Sequence, residues 1–399
     1  MNKYLSDNDL HEEYQSAYRA FHSTETALLK IINDILLSLD RGEHVFLVLL
    51  DLSAAFDTVS HPSLLSRMER RFGISGTALK WFESYLSNRS QFVKINGEKS
   101  ATHDGHIGVP QGSVLGPLLY LVYTSPLAEI INRYNLKYHV FADDTQIYIS
   151  FKTTDIASAK QRVEDCVAEI CHWMNINELK LNQDKTDILL IHTKYRNKPS
   201  VGEFNIEFEK VPITITLFKS LGVSFDEYMI FDGYVADKCK SSFYHLRNLS
   251  RIRKYLTRET AEIIVHAFVT SKLDYCNSLV FGLPKYQMKR LQNVQNTAAR
   301  IVCRIGKYEH ITPVLVDIHW LPVHYRIVFK ILLLVYKSIN GMSPGYLSDL
   351  LQFHKSLRSL RSVSDELLSL PTAVTKTYGD RAFSAFAPRL WNILPLGIR

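Results

Sequence analysis

Apolar residues between Ser23 and Leu39 recur at Leu28, Ile31, Ile32, Ile35, Leu36 and Leu39, with Gly42 just past the last turn. That spacing predicts an amphipathic helix started by a Ser or Thr cap. Val45 to Leu50 is continuously apolar and short, which predicts a strand buried on both faces, with Asp51 at or just past its end. Helical patterns follow over Ser63 to Phe72 and Thr77 to Ser87. Gln91 to Ile95 alternates and runs into Asn96-Gly97, a strong hairpin signal. Pro117 opens an apolar helix expected to reach about Ile131. Tyr138 to Ala142, then Asp143-Asp144, then Thr145 to Phe151 predict a hairpin with two carboxylates at its tip. Asp155 to Leu179 is helical, with Ile156, Ala159, Val163, Val167, Ile170 and Trp173 inward, and Ile188 to Ile191 and Ile213 to Leu217 predict further strands.

After about Asp226 strand patterns stop. The chain therefore divides into an α+β portion (1–226), a basic helical portion (227–310) and a helical remainder (311–399). At 399 residues it is long enough for two or three domains of roughly 150 residues each. Its 46% apolar and 22% charged residues exclude a disordered or collagenous chain. The cysteines Cys166, Cys171, Cys239, Cys276 and Cys303 are odd in number and scattered, so no disulfide framework is implied. No apolar run approaches the ~18 to 20 residues of a membrane span, and the N-terminus is too acidic for a secretory signal. A soluble intracellular protein is expected, in nucleus or cytoplasm; oligomeric state stays open.

Net charge is +7, but Lys238 to Lys307 carries fourteen Lys or Arg against three acids, +11 by itself. Such a block fits a polyanion such as nucleic acid, and charge alone fits a solvated helical face as well.

Asp143 and Asp144 carry the candidate chemistry. Two unit charges ~4 Å apart repel by ~1 kcal/mol in water and ~4 kcal/mol at an effective dielectric of 20, and a bound cation reverses that sign. Successive strand residues face opposite ways, so only a turn lets both approach one ion. An Asp-Asp turn alone is usually a solvated tip. Asp51, ending a buried strand, needs a partner or a metal. If the strands are neighbours, Asp51 and Asp143 converge, and three carboxylates suit Mg²⁺, where two ions ~3.5 to 4 Å apart would clamp a phosphoryl displacement. His310, His319 and His324 lack zinc spacing with any cysteine.

LLDLSAAFDTVSH (49–61), GVPQGSVLGPLLY (108–120) and FADDTQIY (141–148), in this order, resemble the A, B and C motifs of reverse transcriptases. With HSTETALL (22–29) the first is most similar to non-LTR, LINE-type retrotransposons of the jockey-like group, and LKLNQDKTDILLI (179–191) and FKSLGV (218–223) resemble two later motifs. The resemblance implies a right-hand polymerase: palm with partial fingers over 1–226, a thumb over 227–310, and a C-terminal region of unassigned role. It makes Asp51, Asp143 and Asp144 the metal triad for two Mg²⁺ ions, with Mn²⁺ as an alternative, and the Leu52 carbonyl a further ligand. Phe56 matches the aromatic that excludes a ribose 2′-hydroxyl, and core packing is its other reading. Gln111 and Gly112 match the loop lining the incoming nucleotide, Lys185 the lysine that protonates pyrophosphate, and Leu221-Gly222 the primer-gripping turn. Asp57 matches no metal position and reads as structural. Arg247, Arg251, Arg253, Lys254, Lys289 and Arg290 are the expected nucleic-acid contacts.

The implied reaction is RNA-directed DNA synthesis from an RNA template, a DNA primer and deoxynucleoside triphosphates. Its rivals are an inactive nucleic-acid-binding remnant and an RNA-dependent RNA polymerase, the latter disfavoured by Phe56 and the motif set. The family's fingers hairpin is expected upstream of Met1, and an endonuclease and a Cys/His cluster outside this chain, which would make it a fragment truncated at both ends.

Overall fold

The computed structural model describes residues 1–53, 56–182, 185–194, 198–206, 209–213, 218–354 and 367–399. Helices and strands are mixed through the first half, and helices dominate after residue 226, as the α+β pattern predicts. The chain packs as two units, one of Met1–Ala20, Phe46–Leu190 and Pro199–Ile213, the other of Phe21–Val45, Ile191–Lys198 and Thr214–Arg399.

The first unit is built on a four-stranded sheet in the order Asp187–Ile191, His44–Leu50, Asp144–Phe151, Lys137–Phe141. His44–Leu50 is buried at every position, because a strand flanked on both edges and covered on both faces has no wet side. Lys137–Phe141 and Asp144–Phe151 pair antiparallel, with Phe141 opposite Asp144 and Val140 opposite Thr145. The helix Ile156–Ile176 lays Ala159, Val163, Val167 and Ile170 against this core. Phe46 stacks on Phe151 with centroids 4.4 Å apart and meets the edge of Phe204 at 5.1 Å. Each such buried side chain contributes roughly 1.5–3 kcal/mol.

The Asn96-Gly97 turn joins Lys94–Ile95 to Glu98–Lys99, with φ of 51° and 94°, the left-handed pair a tight hairpin requires. The expected helix from Pro117 to Ile131 is instead two, Gly116–Thr124 and Leu127–Arg133. Pro126 has no N–H to continue the first, and the Thr124 and Ser125 hydroxyls donate to the carbonyls of Tyr120 and Val122 at 3.0 Å. Of the expected strand at Ile213 to Leu217, residues 214–217 lie outside the described residues, and a hairpin of Phe218–Ser220 and Val223–Phe225 follows.

In the second unit the helix Thr24–Asp40 starts at a Ser23–Thr26 capping box. Its apolar face is buried as expected, but so are Glu25, Thr26, Asn33, Asp34, Ser38 and Asp40. Residues from 278 onward satisfy part of that polar side, while Asp34 pairs with Lys30 of the same helix at 3.0 Å. Glu25 accepts from the Ser278 backbone N–H at 3.1 Å and hydroxyl at 2.6 Å and pairs with Lys330 at 3.3 Å. Asn33 accepts from the Ser384 N–H at 2.9 Å. Asp40 accepts from the N–H groups of Val374 and Thr375 at 2.9 and 2.7 Å. An amphipathic reading assumes water on the polar face, whereas here protein supplies the partners.

Candidate active site

The acidic cluster begins with the hairpin. Asp143 stands in the two-residue turn and Asp144 opens the return strand. Ala142, the first turn residue, has φ 58°, a left-handed conformation costly for a residue with a Cβ. Gln15 holds it there: its side-chain oxygen accepts from the Ala142 N–H at 3.2 Å, and its side-chain nitrogen donates to the Ala142 carbonyl at 3.4 Å. The segment leading to Gln15 pairs along the strand, Val140 N–H to Tyr14 carbonyl at 2.8 Å and Ser16 N–H to Val140 carbonyl at 2.9 Å.

Asp51 leaves the neighbouring strand. Its carbonyl accepts from the Asn182 N–H at 2.9 Å, and Leu52 pairs with Leu181 beside it. Its carboxylate accepts from the Asn182 side chain at 3.4 Å and lies 3.3 Å from the Lys185 ammonium. Burial first, then the charges of Asp143 and Asp51, push the Asp144 carboxyl up to about 6, while Lys185 pulls the other way. The three acids therefore share one field. Hard carboxylate oxygens suit Mg²⁺ or Mn²⁺, and a cation would relieve the repulsion that raises Asp144. Among the described residues no three His, Cys, Asp or Glu side chains are already gathered as a metal cluster, so the fit is one of donor chemistry and charge.

Phe56 is half-buried, its ring stacked on Tyr120 with centroids 4.9 Å apart. Tyr120 is fully buried, and its hydroxyl has no hydrogen-bond partner among the described residues. Burial, then the charges of Asp143 and Tyr18, hold that phenol well above its ordinary value. The Val109 N–H donates to the Phe56 carbonyl and the Gly108 N–H to the Val59 carbonyl, both at 2.8 Å, which ties the loop carrying Gln111 to the segment carrying Phe56. Gly108 needs to be glycine: with φ 84°, a Cβ would stand 2.7 Å from the Asp57 carbonyl. Gln111 donates to the Asp57 carboxylate at 3.2 Å, giving Asp57 its structural partner, and Gly112, φ 78°, faces open space.

In the second unit Leu221 and Gly222 form a hairpin turn with φ of 47° and 75°. Its Leu221 carbonyl accepts from the Tyr275 hydroxyl at 2.6 Å. Arg247, Arg251, Lys254 and Lys289 are exposed. Arg253, expected as a nucleic-acid contact, is instead buried, and its guanidinium donates to the carbonyls of Ile301, Leu256 and Val302 at 2.9, 2.7 and 2.5 Å, which ties its turn to the end of the helix Lys285–Cys303. Arg290 is half-buried and paired with Asp232 at 3.1 Å. Pattern reading missed Gln15, Tyr120 and Tyr275. Each acts through distant residues, and only Tyr120, last of the 108–120 motif, and Asn182, inside the 179–191 motif, lay in a stretch that carried a signal.

A family model described as reverse transcriptase (RNA-dependent DNA polymerase) matches residues 1–225. The probable RNA-directed DNA polymerase from transposon X-element of Drosophila melanogaster is 27% identical over 299 residues, 73% of this chain and 32% of that protein. The one from transposon BS of the same fly is 26% identical over 312 residues, covering 76% and 34%. The RNA-directed DNA polymerase from mobile element jockey is 26% identical over 246 residues, covering 59% and 26%. The chain thus spans about a third or less of these relatives. Among solved structures, a telomerase from Candida albicans in complex with a fragment of telomeric RNA aligns at TM-score 0.42 and 13% identity, covering 80% of this chain and 58% of that one. An apo telomerase from Candida tropicalis aligns at 0.42 and 12%, covering 87% and 59%. With the acidic motifs in one sheet and the family model matched across more than half its length, the chain belongs to the reverse transcriptase (RNA-dependent DNA polymerase) family.

Proposed function

We propose that this chain performs RNA-directed DNA synthesis as part of a non-LTR retrotransposon polymerase, extending a DNA primer on an RNA template with deoxynucleoside triphosphates. In this reading residues 1–226 are palm with partial fingers, 227–310 a basic helical thumb, and 311–399 a helical region of unassigned role. The observation that carries it is that the strand leading into Asp51 and the strand opened by Asp144 are neighbours in one sheet, inside the stretch matched by the family model over residues 1–225.

Asp51, Asp143, Asp144 and the Leu52 carbonyl would hold two Mg²⁺ ions. When bound, they supply Lewis-acid stabilisation of the attacking and leaving oxygens. The chain's own groups do the rest. Gln15 and Asn182 hold the carboxylate-bearing backbone. Phe56, backed by Tyr120, fills the space a ribose 2′-hydroxyl would need. The 108–112 loop, with Gln111 and the open backbone at Gly112, borders the incoming nucleotide. Lys185 donates a proton to the departing pyrophosphate as the primer 3′-hydroxyl attacks the α-phosphate.

Primer extension on an RNA template, with Mg²⁺ and with chelator, tests the reading. Asp143→Asn removes a ligand at nearly constant volume. Several kcal/mol of stabilisation are at stake, at a tenfold rate for each ~1.4 kcal/mol, so activity should fall at least about a hundredfold. Asp57→Asn should keep metal-dependent extension. Activity of Asp143→Asn within threefold of the parent rejects the site. Duplex binding without extension at any nucleotide concentration favours the inactive remnant.

A further inference from the structure

The helix Gly76–Leu86 is anchored in the core of the first unit through Phe82 and Leu86, with Leu79 and Tyr85 packed partly against it. Trp81 takes no part in that anchoring, and 54% of it is exposed. It stands four residues before Tyr85, about one turn away on the same side, and the two rings stack 9° from parallel with centroids 5.6 Å apart. The column continues into Arg89, whose guanidinium lies 4.5 Å from the centroid of the Tyr85 ring while its Nε donates to the Tyr85 carbonyl at 2.8 Å. The indole is the exposed end of a preformed stack.

After Arg89 the chain leaves as a ribbon, in which Ser90–Gln91 pairs with His103–Asp104 and Lys94–Ile95 with Glu98–Lys99. Every residue from Ser90 to Ser100 is exposed, so no core covers either side. The register sets Lys94 directly opposite Lys99, a like-charge pair that works against the hairpin. From Lys80 to Lys99 the chain carries four cations and two acids, Glu83 and Glu98. Glu98 is opposite Ile95, and successive strand residues point to opposite faces, so it stands across the ribbon from the lysine pair. The Lys99 ammonium lies 4.8 Å from the centroid of the Phe92 ring, and Phe92, Val93 and Ile95 are all exposed. Flat rings and opposed lysines on one wet surface suit a polyanion that carries flat rings of its own.

We propose that residues 81–99 form a binding surface for single-stranded RNA, with Trp81 as the stacking platform for one unpaired base and Lys94 and Lys99 as contacts to the backbone phosphates. The proposal rests on the polymerase reading for its choice of RNA, and adds a surface outside the sheet that bears the acids. A single strand fits rather than a duplex, because a ring face can stack on a base only when that base has left its own helix. Arg89 at the far end of the column holds Tyr85 by a cation–π contact, so the platform is ordered before any base arrives. A phosphate between Lys94 and Lys99 offsets their repulsion. A protein partner fits less well: it would strip water from both lysines, whereas an RNA strand brings the opposite charge to them and releases counterions.

The test titrates the full chain with an unstructured RNA of about twelve nucleotides, and with DNA of the same sequence, at several salt concentrations. Of the four tryptophans Trp320 and Trp391 are buried and Trp173 is half-buried, so RNA should quench a tryptophan signal that Trp81→Ala removes. Trp81→Ala should weaken RNA binding about five- to a hundredfold without changing the slope of log affinity against log salt, because stacking releases no counterions. Trp81→Phe should recover most of the affinity. Lys94→Gln should instead flatten that slope by roughly 0.7. The parent should prefer the intact RNA to a fully abasic strand, and Trp81→Ala should lose that preference by the factor it loses in affinity, the signature of a shared contact. RNA affinity of Trp81→Ala within twofold of the parent, or a slope untouched by Lys94→Gln, overturns the surface; primer extension by the same protein then leaves the polymerase reading standing. Losses seen only with the DNA strand overturn the assignment to RNA. A parent that self-associates, with Trp81→Ala turning monomeric at unchanged RNA affinity, would make the patch a protein interface and overturn it too. A parent that neither binds RNA nor extends a primer rejects both.

Discussion

The Lys185 ammonium lies 3.3 Å from the Asp51 carboxylate, reaching it from a side chain that is itself 66% exposed. It therefore occupies one oxygen of a carboxylate that a metal would share, and offsets part of the repulsion at Asp144. Lys185→Ala should lower the maximal extension rate by tenfold or more, since a proton donor to the leaving group is worth about 10² to 10⁴. The Mg²⁺ concentration for half-maximal activity should fall, because a competitor for Asp51 is gone. Mg²⁺ titrations of both proteins check this split; a rate loss with a higher Mg²⁺ requirement would reduce Lys185 to a scaffold for Asp51.

Gln15 is expected to matter to the reaction although it touches no substrate. Gln15→Ala removes both side-chain bonds to Ala142 and leaves buried polar groups unsatisfied, at about 1–3 kcal/mol. With the Asp143 turn released, the extension rate should drop about ten- to a hundredfold, since small misplacements at a reacting centre are costly. Duplex affinity should stay within twofold. Gln15→Glu, which keeps the acceptor for the Ala142 N–H, should recover part of the rate. Equal effects of the two substitutions would argue against a positioning role.

Phe56→Val should raise the use of ribonucleotides relative to deoxyribonucleotides on one RNA template, because it empties ring volume above Tyr120. Tyr120→Phe, which deletes the unpartnered hydroxyl and keeps the stack, should leave that ratio unchanged and cost little or no stability. The ratio of incorporation efficiencies is the measurement. An active Phe56→Val with the parent's ratio would assign Phe56 to packing.

Asp40 makes stability depend on pH. Burial pushes its carboxyl up, but hydrogen bonds from Val374, Thr375 and Gly379 outweigh that and hold it below the ordinary carboxylate value. A carboxyl depressed in the folded state favours folding above its unfolded value near 3.9 and loses that contribution as pH falls through the folded value. Asp40→Asn should thus cost about 1.5–3 kcal/mol at pH 7, and the gap from the parent should narrow as the solution is taken below pH 4. Thermal or urea unfolding at both pH values measures it; a gap that widens in acid contradicts the assignment.

Local pattern was enough for the elements that hold the site. A continuous apolar run can only be a buried strand or helix segment, and the six residues before Asp51 are too few for a helix, so the acid's place at a strand end followed from the sequence. The Asp143-Asp144 hairpin and the Asn96-Gly97 turn were legible for the same reason: their signals lie within a few residues. Motif resemblance supplied the family, which the match over residues 1–225 bears out. What pattern could not decide was which surfaces meet. That His44–Leu50 and Asp144–Phe151 are sheet neighbours, that the polar side of Thr24–Asp40 is buried against residues from 278 onward, and that Arg253 serves helix carbonyls while Lys254 beside it stays exposed all depend on partners far along the chain. A charge or an amide has the same local signature whether water or protein satisfies it; the tertiary structure decides which, because only there are the distant donors and acceptors brought within bonding distance.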